Sequence, residues 1–332
     1  MNKKLLSIVV PAYNMEKYLD KCLSSVLIDA ELLDLLEVIV VNDGSKDRTS
    51  DIAHEFERRY PSVFRVIDKE NGHYGSCINI GIKDASGKYW RVLDADDSVD
   101  TREFEAFVKE ILEDHNEYDV LITDYATVNS DGGMLSRKKI DCFHGDSLAM
   151  CAETYSLDLL RRIDYHQQEG IAYTDTECAI IPFAHAKKIK LFDYCIYRYL
   201  IGREDQSVAP VVAARGVKQL VKVVERLIEY RNDNSGSINP ERSDIFDRMI
   251  ANTVSMVYRL MLLKCSYREM KQDITEFDIF VRQNHAISYV KMNEFCCPKK
   301  LRFHPISFWR RHPEISRIVM PMLNFYSKVV AK

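Results

Sequence analysis

Val92-Leu93-Asp94-Ala95-Asp96-Asp97 passes from apolar to acidic without a break. An apolar strand that ends this abruptly delivers Asp94 and Asp96 into whatever crevice lies beyond its carboxyl end. Acids gathered in a crevice repel one another and are costly to desolvate unless a cation or a proton satisfies them. A divalent ion carrying a phosphorylated ligand meets that need, because Mg²⁺ and Mn²⁺ favour oxygen ligands and share them with phosphates. A D-x-D by itself is common and reads more readily as a strand followed by a solvated acidic turn. The segments upstream decide between the two.

Working outward, Leu5 to Val10, interrupted only by Ser7, and Val38 to Val41 are apolar runs rich in β-branched residues, Phe64 to Ile67 is shorter, and Tyr89 to Leu93 completes the set. Between them, Met15 to Leu27 and Ser50 to Arg59 carry apolar residues at helical spacing, such as Leu19, Leu23 and Val26. Asp47 to Ser50 offers capping side chains before the second helix. Strand–helix alternation with fully apolar strands predicts a parallel sheet covered on both faces, and such sheets bind ligands beyond the carboxyl ends of their strands. Pro11 to Asn14, Asn42 to Asp47, Asp68 to Ser76 and Asp94 to Asp97 all fall at that edge. Val120 to Val128 predicts a further strand, Gly132 to Asp146 an excursion or hairpin, and the chain from about Gly216 predicts helices, including one over Asp244 to Leu263.

The chain has 332 residues, 46% hydrophobic and 29% charged, with a formal net charge of -4. That describes a globular protein with no global reason to bind nucleic acid. Nine cysteines show no C-x-x-C spacing, so reduced thiols in a cytoplasmic protein are expected. Met1-Asn2-Lys3-Lys4 leads into a strand too short, and too soon ended at Pro11, for a signal peptide. No apolar run is long enough to span a membrane.

Four loops at the expected edge read together: Val9-Val10-Pro11-Ala12-Tyr13-Asn14, Val41-Asn42-Asp43-Gly44-Ser45-Lys46-Asp47, Asn71-Gly72-His73-Tyr74-Gly75-Ser76, and Asp94-Ala95-Asp96. In this order and spacing the chain resembles a family 2 glycosyltransferase of the inverting, bacterial cell-surface polysaccharide type. The match is close over residues 5 to 100 and looser to about 210. The resemblance implies the GT-A fold, a Rossmann-like, mostly parallel sheet flanked by helices, here followed by a helical C-terminal region. The expected division is 1–100 for the nucleotide-sugar half, 101–215 for the acceptor half and 216–332 for the helical region.

The resemblance also implies roles. A uracil ring calls for a stacking face, which Tyr13 can supply, and an acceptor for its N3–H, which Asp43 can supply. Pro11, Asn14 and Ser45 shape that pocket, Gly72 and Gly75 allow close backbone approach, and Ser76 and Asn79 reach toward sugar or ribose. Asp96 is expected to coordinate Mn²⁺ or Mg²⁺, with Asp94 also near the metal and the sugar hydroxyls, while Asp97 is expected to cap the helix near Thr101. His73 and Tyr74 are left without a role. The base that takes the acceptor's proton resembles Asp175, although Thr174 replaces the family's preceding acid, which keeps Glu177 open as the alternative. A capping box over Thr174 to Glu177 is a competing structural reading. Arg203, in a segment resembling the family's later loop, is a candidate diphosphate partner.

The expected activity is transfer of a sugar from a nucleotide donor, with UDP favoured, to a cell-surface glycan or lipid-linked acceptor with inversion. A catalytically degenerate nucleotide-sugar-binding module is the main rival. A nucleotidyltransferase is disfavoured, because Pro11-Ala12-Tyr13-Asn14 stands where a Gly-rich loop with a basic residue would be. Residues Pro298 to Lys332 hold eight Lys or Arg against Glu314 alone, interleaved with Phe303, Phe308, Trp309, Phe325 and Tyr326. That pattern suits an anionic membrane surface on the cytoplasmic side, or else a helical tail packed on its own domain. The helical third is also a candidate surface for a homodimer.

Overall fold

The computed structural model describes residues 4–143, 148–202, 216–263, 265, 267–296 and 302–330. The chain forms two compact units, Met1–Arg203 and Glu204–Lys332. The first is built on one sheet of nine strands: β1 (Leu6–Ala12), β2 (Leu36–Asn42), β3 (Phe64–Asp68), β4 (Tyr89–Val92), β5 (Ser98–Val99), β6 (Val120–Val128), β7 (Met134–Lys138), β8 (Glu153–Ser156) and β9 (Ile189–Leu200). Their order is β3-β2-β1-β4-β8-β6-β9-β5, with β7 added to β6.

The expected parallel sheet is present in β3-β2-β1-β4, with Leu6 opposite both Leu36 and Tyr89, and Val38 opposite Phe64. Beyond β4 the sheet becomes mixed. β8 runs antiparallel to β4 and β6, whereas β9 is parallel to β6 and antiparallel to β5. The polar stretch after residue 132 forms the hairpin strand β7, with Tyr125 opposite Lys138.

The helices of the first unit are α1 (Leu19–Ser25), α2 (Ala30–Leu33), α3 (Thr49–Arg59), α4 (His73–Asp84), α5 (Thr101–Glu113), α6 (Leu157–Arg162) and α7 (Asp175–His185). Alternation along β1 sets the layers. Leu6, Ile8, Val10 and Ala12 join a core with Leu19, Leu23, Phe56, Phe104 and Phe107. Val9 points the other way, onto α4, where a Cβ on Gly81 would come within 2.5 Å of both Val9 methyls.

Strand β1 continues through Pro11 instead of stopping before it. Val9 uses its carbonyl for the Leu93 N–H of the β4 side, and the β1–β4 ladder ends at that register. Pro11, two residues on, faces the side that β4 has left, where a missing N–H is harmless. The parting of β1 and β4 opens the crevice at the carboxyl edge.

The second unit is helical: α8 (Val217–Asp233), α9 (Pro240–Leu263), α10 (Tyr267–Asn284), α11 (Ala286–Lys291), α12 (Pro305–Arg311) and α13 (Pro313–Val330). Its interior gathers Leu220, Val224, Ile250, Val254, Tyr258, Phe277, Ile306, Trp309 and Met320, all buried.

Candidate active site

The β1 and β2 loops are stitched together before any ligand arrives. Asn14, at a left-handed φ of 55°, donates its backbone N–H to Ser45 Oγ at 3.0 Å and accepts the Lys46 N–H on Oδ1 at 2.8 Å. These two side chains therefore shape the edge by holding backbone. Tyr13 stands out beside them, 46% exposed, with its ring open.

Asp43 is buried at the end of β2, and its Oδ1 accepts from Gly72 N–H at 2.9 Å and from the Lys69 ammonium. Lys69 also donates to the Glu70 carbonyl at 2.6 Å. Its role was not visible in the sequence, where the only hint was a basic residue directly after β3.

Gly75 was expected to admit a ligand; the structure assigns its glycine requirement elsewhere. A Cβ there would lie 1.8 Å from the Gln168 carbonyl oxygen, so the 165–170 loop rests directly on α4. Asn79 serves the same contact. Its Nδ2 donates to the Gln167 carbonyl at 3.0 Å and to Glu169 Oε1 at 2.8 Å, and its Oδ1 accepts the Gln167 N–H at 2.9 Å. Ser76 Oγ donates to the His73 carbonyl at 2.7 Å, within its own turn. His73 opens α4 at a positive φ of 65°.

The acids converge beyond β4. Tyr74, left without a role above, donates its hydroxyl to Asp94 Oδ1 at 2.7 Å and contacts Met150 Sδ at 3.4 Å. Asp97 does not cap α5. It is buried, accepting the Tyr197 hydroxyl at 2.7 Å and the Leu200 N–H at 2.7 Å, and the Tyr197 oxygen in turn accepts the Asp94 N–H at 3.2 Å. The cap is Asp100, which accepts from the N–H groups of Arg102 and Glu103. Burial, and then the Asp96 charge, push the Asp94 and Asp97 carboxyls above the usual carboxylate range. The Asp175 charge adds to the pressure on Asp94, so the two loops share one electrostatic field.

Asp175 begins α7 with its side chain reaching solvent, yet protein atoms crowd it closely enough to raise its carboxyl, against the pull of the helix's first N–H groups. The capping box does not form. Thr174 Oγ1 accepts from Gln167 Nε2 at 2.7 Å, and buried Glu177 accepts the Gln168 N–H at 3.2 Å. Glu177 thus holds the loop, and Asp175 is the acid presented outward. Tyr173, just before it, has a strained φ of 67°. Arg203 lies outside the described residues.

The sheet that carries a buried acid at the end of β2 and crowded acids beyond β4 belongs to a sequence that matches a known family. Residues 7–189 match Glycosyl transferase family 2, more than half of the chain. The chain belongs to this family. EpsJ of Bacillus subtilis (strain 168), described as an uncharacterized glycosyltransferase, is 29% identical over 213 residues, 59% of this chain and 60% of EpsJ. GgaB of the same organism, a minor teichoic acid biosynthesis protein, is 28% identical over 213 residues, 61% of this chain but 23% of GgaB. The chain therefore spans less than two thirds of either relative. Among solved structures, S. aureus TarS 1-349 superposes with a TM-score of 0.67 at 18% identity, over 99% of this chain and 92% of that one. A mannosyltransferase from Pyrobaculum calidifontis, in complex with GDP-Man and Mn²⁺, gives 0.55 at 12% identity, covering 97% and 87%. These likenesses establish a GT-A type fold.

For a family 2 glycosyltransferase the cation is the next question. Among the described residues no three His, Cys, Asp or Glu groups converge as a complete protein-built metal site. Asp94, whose carboxyl is desolvated by burial, and half-buried Asp96 do fit an ion that takes its other oxygens from water and a diphosphate. A positive charge there would offset the repulsion that raises Asp94.

Proposed function

We propose that this glycosyltransferase moves a sugar from a UDP-linked donor to a hydroxyl of a cell-surface glycan or its lipid-linked precursor, with inversion. The observation that carries the reading is Asp175 presented into the field of Asp94 and Asp96 at the sheet edge that also carries Asp43 and Tyr13. Residues 1–100 take the donor, and the part of the first unit beyond them takes the acceptor.

On this reading the uracil ring lies on Tyr13. Asp43 accepts its N3–H, and Lys69 beside it donates to a ring carbonyl, a pairing that suits a keto-lactam edge and rejects the amino group of cytosine. Asp94, oriented by Tyr74, and Asp96 would hold a divalent cation, which would supply charge neutralisation for the leaving diphosphate. Asp175 removes the acceptor hydroxyl's proton as that oxygen bonds to the anomeric carbon and the bond to the diphosphate breaks. Attack opposite the leaving group inverts the centre. TarS 1-349 has also been solved in complex with UDP-GlcNAc and with UDP, and the mannosyltransferase with Mn²⁺. Those complexes and the name of GgaB support the donor, cation and acceptor classes assigned here.

The test is thermal-shift binding of UDP, GDP, CDP and TDP with and without Mn²⁺, followed by turnover of variants. Metal-dependent stabilisation by UDP is expected, with Asp175→Asn nearly inactive and still binding UDP. No shift with any nucleotide would replace the reading with a degenerate module. An active Asp175→Asn together with a dead, folded Glu177→Gln would move the base to Glu177.

A further inference from the structure

Part of the basic, aromatic tail is interior. Trp309 is buried, and Arg310 donates to Asp278 Oδ1 and Asn293 Oδ1, each at 2.8 Å, and to the Tyr289 carbonyl at 2.9 Å, with its guanidinium 3.7 Å from the Tyr289 ring centre. The packed-tail reading therefore holds for α12. For α13 it holds on one face only.

That helix packs through Ser316 and Met320, both fully buried, one turn apart. Ile315, Ile318 and Met322 sit at i, i+3 and i+7 and are 53%, 59% and 67% exposed. Such spacing makes one continuous apolar stripe on the side away from the packed face. Three large apolar side chains in a row are unusual on a solvated helix, whereas single ones are not. Arg317 stands exposed on the flank between stripe and packed face, and Arg311 stands exposed just before the helix begins. The acid in the first turn, Glu314, is engaged by Lys271 at 3.0 Å, which leaves the flank net basic.

We propose that α13 docks on an anionic lipid surface through Ile315, Ile318 and Met322, with Arg311 and Arg317 reaching the head groups. An apolar stripe with arginines that can snorkel beside it fits the boundary between acyl chains and negatively charged head groups. No helix among the described residues is long and apolar enough to cross a membrane, so α13 lies on the surface. A second copy of the chain would bury the stripe equally well, but the arginines beside it would then face each other. The inference uses the second unit alone and does not depend on the transfer reaction.

The experiment is co-sedimentation of the full chain with vesicles of phosphatidylcholine alone and of phosphatidylcholine mixed with phosphatidylglycerol. Binding is expected to the mixed vesicles only, to weaken with added salt, and to fall about ten-fold in Ile318→Glu and in Met322→Glu. Both positions are exposed, so the variants should keep the wild-type melting temperature and nucleotide binding. A reversal of Arg317 to Glu should weaken binding without touching the stripe. Equal binding to both vesicle types, or binding unchanged by Ile318→Glu, overturns the proposal. So does a dimer in lipid-free light scattering that Met322→Glu dissolves, which would assign the stripe to a second copy.

Discussion

A phenol that donates to one oxygen of a carboxylate decides which oxygen stays free. Tyr74 does this to Asp94, and the hydrogen bond to a charged acceptor is worth about 1.5–3 kcal/mol. Tyr74→Phe should leave the fold intact and lower kcat by about ten-fold or more, with a raised Mn²⁺ requirement, measured by metal titration of turnover. Lys69→Met should act differently, weakening UDP binding by about ten-fold while kcat at saturating donor changes little. Isothermal titration with UDP and CDP checks it, and equal loss for both nucleotides would remove Lys69 from base recognition. Neither residue announced itself in the sequence, because a tyrosine inside a helix start and a lysine after a strand acquire meaning only from partners 20 and 26 positions away.

At the scale of elements, the strands were legible because a buried parallel strand has to be apolar on both faces, and β1 and β2 largely are, whereas β3 at the sheet edge is half-buried and carries Arg65 and Asp68. Contacts between elements were not. Gly75 in a Gly-x-x-Gly stretch and Asn79 just after it read as ligand contacts in the sequence, yet in the structure they bind α4 to the loop after α6. Gly75→Ala would drive a Cβ into the Gln168 carbonyl and should lower the melting temperature by several degrees, the loop being displaced along with Asp175. Strand β8 carries a second consequence of packing. Glu153 is fully enclosed, its Oε1 has no hydrogen-bond partner among the described residues, and burial pushes its carboxyl up to about 8, against the Tyr155 hydroxyl that donates to Oε2. The folded chain therefore keeps a proton that the unfolded chain releases near pH 4.5. The contribution of Glu153 to stability should be complete below that pH and should fall by up to ~1.4 kcal/mol per pH unit until the folded carboxyl itself ionises. Urea unfolding at several pH values would measure the slope, and Glu153→Gln should flatten it.

For the whole molecule, the family match at residues 7–189 falls inside the first unit, whose sheet and core are complete by Leu200. Residues 1–203 alone should therefore fold cooperatively and keep the UDP- and Mn²⁺-dependent thermal shift, while losing the vesicle binding assigned to α13. Loss of both would show that the first unit needs the second. The sequence carried the fold class and the acidic edge, since both rest on local patterns. It misassigned Asp97 as a helix cap because the residue that claims it, Tyr197, lies a hundred positions downstream.

That distance has a consequence in time. β4 and its acids leave the ribosome well before β9, and at about 5–20 residues per second the interval is roughly 5–20 s. Throughout it Asp97 lacks its tyrosine and the Asp94 amide lacks the oxygen that receives it. The nascent chain can have strands β1 to β3 assembled while its acidic edge is still loose. A premature stop before Tyr197 would then yield a protein that keeps the edge proposed to take the nucleotide but leaves Asp94 and Asp97 without the tyrosine that sets them.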